Sequence, residues 1–415
     1  MWILKPCLTL RIRNSNIFVL HFPFFMTKRK IWHIPSLHIE EDLGRHRKVT
    51  WLELFFDLFF VVVIARLAHD LAHHLSMHAL GEFVFLFLAV WWMWIGYTYY
   101  NERFDTEGLD SRLFSFLLML PTAGLAVFAE NAFTTNFTGF ALSYAAGRIL
   151  INFLWIRAGV HEPKFRNVAK KYGAGFTIAN ILAIAAAFTQ GDFRYVLFGA
   201  AMTADIITPF FTLKDMAVLP RFTTSRLPER FGLFIIIVLG ETLVGAIAGL
   251  SEIKEPTLLD YTTGALGILL GFSLWWLYFD FIARRSPRQN AVIYWSYSHL
   301  PLLMSIVVAG AGILNLFTID QIENATRYVG GALAAFLIFL SIIESTLLRQ
   351  KDEPTHPFWT VFIKIITGII LFVVTLFFTK GNQLLNLSII FLFLFVNMLY
   401  GLYVWFTQEL EIERI

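Results

Sequence analysis

From Val49 onward the chain is a succession of twelve apolar blocks separated by short joints of breakers and charges. The blocks fall at roughly 51–69, 82–100, 113–130, 139–157, 174–189, 194–212, 231–250, 261–283, 292–316, 328–348, 358–379 and 385–406. An α-helix rises 1.5 Å per residue, so about 20 residues cross a hydrocarbon core of ~30 Å. Helix is the form these blocks can take, because an open strand leaves its backbone polar groups unsatisfied in lipid. The sequence therefore predicts an all-α, polytopic membrane helix bundle of about twelve transmembrane helices.

Composition agrees. Hydrophobic residues make up 57% of the 415 and charged ones 15%, where soluble domains average about 25% charged. That leaves too little charge to cover a water-facing surface, and no stretch long enough for a large soluble domain. A net charge of +3, spread through the joints, argues against a nucleic-acid partner. Cys7 is the only cysteine, so intrachain disulfides and cysteine-ligated metals are excluded. No cofactor is implied, and the expected partners are the lipid bilayer and an unidentified ion or small solute.

Residues 1–48 read as a cytoplasmic tail, partly disordered. The apolar stretch Ile17–Phe25 is too short to span, and Phe24-Phe25-Met26 is a poor signal-peptide cleavage site. Residues 1–25 are expected to be a disordered tail or an extension upstream of a true start at Met26.

Basic residues set the orientation. One set of alternate joints holds seventeen Lys and Arg and the other holds four, namely Arg194, Lys254, Arg327 and Lys380. Both termini are therefore expected in the cytoplasm, which requires an even number of spans. Two six-helix halves, 49–212 and 213–415, are also suggested. Glu53-Leu54-Phe55-Phe56 opens the first span as Glu229-Arg230-Phe231-Gly232 opens the seventh, and Trp91-Trp92 is echoed by Trp275-Trp276. Six spans per half make the repeats parallel in topology, as in some transporters.

Ionisable groups at bilayer depth cost at least ~2.5–3.5 kcal/mol at a helix centre, so they tend to face the bundle interior and to have partners. Glu53 and Asp57 are four apart and share a helix face. Their mutual repulsion favours a bound proton or cation; the plainer reading places them in the headgroup zone, capping the helix start. Arg66 lies nine residues beyond Asp57, on the opposite face, and is expected to pair with another helix. His69, His73, His74 and His78 follow; His69 and His73 have metal-ligand spacing without the Glu of H-E-x-x-H, and interfacial histidines are the better reading. Glu241 falls mid-span in the seventh block, either as a functional carboxylate or as a protonated or paired packing residue. Gly240, Gly245 and Gly249 around it leave room for a neighbouring helix. Asp205 sits deep, before the kinking Pro209, and His299 precedes Pro301 beside Tyr297. Asp280 is expected to pair with Arg284-Arg285, and Arg148, Glu344 and Lys364 to form interhelical pairs or to snorkel. Trp51, Trp155, Tyr403 and Trp405, at span ends, read as interfacial anchors.

The stretch ELFFDLFFVVVIARLAH at 53–69, LPERFGLFIIIVLGE at 227–241 and YSHLPLL at 297–303 resemble the bacterial low temperature requirement A (LtrA) family. Arg103-Phe104-Asp105-Thr106 followed by Arg112 is similar to that family's second cytoplasmic loop. The resemblance runs from about Val49 to the C-terminus. It implies a multi-helix protein of the bacterial inner membrane, in a family named for a growth phenotype in the cold, and it implies no particular activity. Its motifs coincide with Glu53, Asp57, Arg66, Arg112, Glu229, Arg230, Glu241 and His299, which marks these as a shared polar core.

Three functions are compatible with these residues. The first is an ion- or proton-coupled transporter or channel, with Glu53, Asp57, Arg66, Asp205, Glu229, Arg230, Glu241 and His299 as the ion, proton or substrate site. The second is an intramembrane enzyme on a lipid-like substrate; the chain has no H-E-x-x-H, G-x-S-x-G or Walker loop. The third is a non-catalytic assembly or sensing component whose buried charges are interhelical ties.

Overall fold

A computed structural model describes residues 33–37, 49–104, 108–219, 226–283, 285–317, 322–348, 357–377 and 383–407. The expectations for residues 1–25 and Met26, and for Arg284, lie outside the described residues.

The described residues form twelve long helices. The first six are α1 (Trp51–His73), α2 (Met77–Phe104), α3 (Leu109–Ala129), α4 (Phe137–His161), α5 (Arg166–Phe188) and α6 (Phe193–Ile207). A 3-10 segment (Thr208–Thr212) and the one-turn α7 (Leu213–Met216) follow. The last six are α8 (Arg226–Ser251), α9 (Leu258–Tyr278), α10 (Val292–Asn315), α11 (Ile322–Ser345), α12 (Pro357–Phe377) and α13 (Gln383–Thr407). No strand occurs among the described residues, only an isolated bridge between Pro287 and Leu347.

Eleven of the long helices have the length and hydropathy to cross a bilayer. The twelfth, α1, has 23 residues and is the most highly charged at depth, carrying Glu53, Asp57, Arg66 and Asp70. Its apolar inner face (Phe56, Phe60, Val63, Ile64, Leu67) is nevertheless buried against neighbouring helices. Leu120, Val127, Ile181, Phe188, Val196 and Ile247 point outward from the other helices. Exposed apolar side chains in such numbers suit lipid and not water. The protein is a polytopic membrane helix bundle.

Helix ends depart from the apolar blocks for local reasons. Helix α5 starts at Arg166, eight residues before the apolar run, because the 3-10 turn Pro163–Phe165 launches it and its first turns carry Lys170 and Lys171 at the polar edge. Helix α6 stops at Ile207, and the chain continues as 3-10 helix through Pro209, whose ring nitrogen cannot donate to the carbonyl of Asp205.

Neighbour relations recur in the two halves. Helix α1 packs on α2 and α3, α3 on α4, α4 on α5, α5 on α6, and α2 reaches α6. Likewise α8 packs on α9 and α10, α10 on α11, α11 on α12, α12 on α13, and α9 reaches α13. The halves join where α1 meets α8 and α10, and where α2 meets α10.

Glycines bring α8 and α10 together. A Cβ at Gly245 would lie 2.3 Å from the Gly310 carbonyl oxygen, and one at Gly310 would lie 2.7 Å from the Glu241 carbonyl oxygen. Such spacing lets two backbones approach in van der Waals contact, the main attraction available between helices in lipid. Gly249 makes a similar approach to Phe317, but Gly240 has nothing near it and faces away from α10. Trp155 is not an interfacial anchor: it is 3% exposed, stacks on Phe165 and meets Tyr100 and Tyr172 edge to face. Trp51 and Tyr403 are exposed at helix ends.

Candidate functional site

Helix α1 starts at Thr50 with a capping box, in which the Thr50 hydroxyl accepts from the Glu53 amide. Glu53 Oε2 in return accepts from the Thr50 backbone N–H at 2.9 Å. This satisfies orphan donors of the first turn and aims the other carboxylate oxygen inward. There Glu53 Oε1 receives Arg226 Nη2 at 2.6 Å and Arg230 Nη1 at 3.1 Å. One turn deeper, Asp57 Oδ1 receives the indole N–H of Trp94 at 2.8 Å and Arg230 Nη2 at 3.3 Å. Asp57 is fully buried and its Oδ2 has no hydrogen-bond partner.

The logic is that of two facing helices with the same spacing. Glu53 and Asp57 are an i, i+4 pair on α1, and Arg226 and Arg230 are an i, i+4 pair on α8. Two guanidinium groups fill the position beside Glu53 and Asp57 that a cation would take, and the four formal charges cancel. Glu102, also buried, sits in the field of Arg226 and Arg230 at the end of α2. Trp94 stacks on Phe234, 4.2 Å between centroids, and closes the cluster on its deeper side.

Beyond this tie, α1 and α8 line a cavity of about 1060 Å³. Its walls include Val61, Ala65, Arg66 and His69 of α1 and Glu241, Val244 and Ala248 of α8, and Gly310, Ala311 and Asn315 of α10 lie behind. Glu241 is half-buried in its wall, eleven residues or about 16 Å along α8 from Arg230. Arg66 reaches Glu130 at the end of α3, with 3.6 Å between charged atoms. His69 and His73 bring their Nε2 atoms to 3.1 Å, and His74 and Glu252 complete the polar rim. No group of three or more His, Cys, Asp or Glu arranged to hold a metal occurs among the described residues.

The remaining sequence-predicted residues lie elsewhere. Asp205 belongs to a separate buried pair: Arg148 Nε and Nη2 donate to its two oxygens at 3.0 and 2.8 Å, and Tyr144 donates to it as well. Glu229 is exposed on the first turn of α8, where the helix dipole favours an anion. His299 is fully buried in α10. Its Nδ1 lies 2.7 Å from the Trp295 carbonyl, which can only accept, so Nδ1 carries the proton and Nε2 accepts from the Tyr278 hydroxyl at 3.1 Å. Its ring packs on Phe231, the neighbour of Arg230 in sequence. Lys364 and Glu344 form a further interhelical pair at 2.9 Å, which Arg285 flanks at 4.0 Å. The structure thus joins Glu53, Asp57 and Arg230 in one cluster and Arg66 with Glu241 in one cavity, and it sets Asp205, Glu229 and His299 apart.

Sequence reading missed Arg226, Trp94 and Glu102. The signal for Arg226 was present in its four-residue spacing from Arg230, which matches Glu53 to Asp57.

The chain is 28% identical over 289 residues to an uncharacterized protein of Rhizobium meliloti (strain 1021), which covers 64% of this chain and 68% of the relative. The family model described as bacterial low temperature requirement A protein (LtrA) matches residues 48–410, a stretch that contains both the ion-pair cluster and the cavity. The chain belongs to the bacterial low temperature requirement A (LtrA) family.

Proposed function

We propose that the protein is an ion- or proton-coupled transporter or channel for a small solute, placed in the bacterial inner membrane with both termini in the cytoplasm. The observation that carries this reading is the cavity between α1 and α8, polar at Arg66, His69 and Glu241 and ending toward the Glu53–Asp57–Arg226–Arg230 cluster. A wide cavity with a few ionisable groups in its wall on one side and a charge-paired closure on the other is the outline of one state of an alternating-access cycle. In that scheme Glu241 is the group that exchanges a proton or ion with the cavity, and the cluster is the tie that must part for the opposite state. The recurring neighbour relations of α1–α6 and α8–α13 support treating the halves 49–212 and 213–415 as parallel repeats.

Reconstitution into proteoliposomes tests the reading. Glu241→Gln is expected to abolish pH- or ion-dependent flux, and Asp57→Asn to abolish or uncouple it, with both variants still assembled. Wild-type flux in both variants would remove the basis for the proposal.

A second reading has its own support. Arg148–Asp205, Lys364–Glu344 and Arg230–Asp57 are all buried and paired, as interhelical ties in an assembly or sensing component would be. Under that reading conservative variants lower yield and thermal stability and leave every flux assay unchanged.

A further inference from the structure

The large cavity carries, at its α1 end, a histidine pair that neither the ion-pair cluster nor Glu241 uses. His69 and His73 are four residues apart near the C-terminus of α1, so both rings stand on one face over adjacent turns. Both are exposed, and both line the cavity. Their ring centroids are 4.2 Å apart at an interplanar angle of 79°, and the two Nε2 atoms come within 3.1 Å of each other.

Two imidazole nitrogens at that distance have two ways to coexist. One holds a proton and donates to the other, or both are bare and turn their lone pairs to one cation. Bonds of about 2.0–2.1 Å from a Zn²⁺-like ion to two imidazoles, meeting at about 90–109°, set the nitrogens about 2.9–3.4 Å apart. The observed 3.1 Å falls inside that range, so the helix holds the pair at chelating distance. Spacing in the sequence alone could not show this, because a ring four residues away is free to turn elsewhere.

Charge around the pair favours the cation. Glu241 and Glu252 line the same cavity, and Asp70 lies within electrostatic reach of His69, His73, His74 and Glu130. Against these four carboxylates stands the Arg66 guanidinium, which Glu130 meets at 3.6 Å. Low-dielectric walls such as Val61, Ala65 and Val244 strengthen that negative field. Ligand chemistry then selects the ion: imidazole nitrogen suits Zn²⁺, Ni²⁺ and Cu²⁺, whereas Mg²⁺ and Ca²⁺ take oxygen. We propose that His69 and His73 form a two-ligand site for a divalent transition-metal ion of the Zn²⁺ class at the edge of the cavity, with water completing its coordination. Two protein ligands are fewer than the four of a closed structural site, so the ion exchanges with the cavity and is no fixed part of the fold. The site is independent of the transport reading and stands or falls separately from it.

The test uses purified full-length protein without a polyhistidine tag, in phosphatidylcholine nanodiscs, with empty nanodiscs as the blank. Equilibrium dialysis against Zn²⁺ near neutral pH is expected to show one saturable ion per chain, displaced by Ni²⁺ and not by Mg²⁺ or Ca²⁺. His69→Gln and His73→Gln each remove one nitrogen from an exposed position. Each is expected to weaken Zn²⁺ by about 100-fold or more, since loss of even an outer partner of a ligand costs about 10–100-fold. His78→Gln, which removes the histidine beside Glu82 at 3.5 Å, is expected to bind as the wild type does. A readout that needs no variant guards against misfolding: Zn²⁺ is expected to protect His69 and His73, and not His78, from diethyl pyrocarbonate. Absence of saturable binding would leave the pair sharing a proton, and displacement by Mg²⁺ would mark a carboxylate site. Wild-type affinity in both His69→Gln and His73→Gln, or no protection of either ring, would place the metal elsewhere. Any of these results would overturn the proposal.

Discussion

Arg230 is the residue on which the α1–α8 tie depends most, and its removal has a predictable cost. Glu53 has two cationic partners and two hydrogen bonds from Thr50, whereas Asp57 has only Arg230 and the Trp94 indole. At 3.3 Å and an effective dielectric of about 20, the Arg230–Asp57 attraction is about 5 kcal/mol. Desolvation offsets much of this when both groups are present, but not when one is removed. Arg230→Gln therefore leaves Asp57 buried without a cation and is expected to cost about 3–5 kcal/mol. Arg226→Gln leaves Glu53 with Arg230 and Thr50 and is expected to cost less, about 1–3 kcal/mol. Asp57→Asn in the Arg230→Gln background removes the orphaned charge and should recover about 2 kcal/mol or more. The assay is reversible unfolding in mixed micelles titrated with a denaturing detergent, followed by far-UV circular dichroism, over the full double-mutant cycle. Additivity of the two substitutions within about 0.5 kcal/mol would refute the reasoning.

Other perturbations probe the remaining contacts. Asp205→Asn is expected to lose about 3–5 kcal/mol in the same unfolding assay, because Arg148 stays buried without its carboxylate; Arg148→Met with Asp205→Leu should recover most of it. Gly310→Ala places a methyl group against the Glu241 carbonyl at 2.7 Å and is expected to cost about 1–3 kcal/mol, read as a lower melting temperature. Gly240→Ala, at a position with open space, is expected to be neutral or slightly stabilising in the same measurement. Lys364→Met leaves Glu344 with Arg285 at 4.0 Å as its remaining cation and should lower thermal stability more than Arg285→Gln does.

Much of the fold could be read from the sequence because bilayer thickness fixes helix length, and apolar blocks report it directly. Ends were less legible. At α5 a 3-10 turn and two lysines extend the helix past its apolar run, and at α6 a proline ends it inside one. Pairing was legible where spacing alone decides it, as in the face shared by Glu53 and Asp57. It was less legible where the partner came from a distant helix: Arg226 and Arg230 repeat the four-residue spacing of Glu53 and Asp57, but nothing in the sequence brings the two segments, 173 residues apart, together. Trp155 shows the limit of a positional rule, since a tryptophan near a span end is an anchor only if no neighbouring helix covers it, and α5 does. Likewise Gly240 and Gly245 look alike in sequence, but five residues turn them to different faces of α8.

Helices α1 and α8 are tied by ion pairs at one end and part around a cavity at the other. Cysteine scanning along α8 in a Cys7→Ser background tests this most directly, because maleimides react with thiolates and thiolates form in water, not in lipid or packed protein. A membrane-impermeant maleimide, applied from the side opposite the α8 N-terminus, is predicted to label Val244→Cys and Ala248→Cys at the cavity wall and to leave Ile235→Cys and Val238→Cys unlabelled among buried neighbours. Protection at Val244→Cys and Ala248→Cys, or labelling at Ile235→Cys equal to theirs, would contradict it.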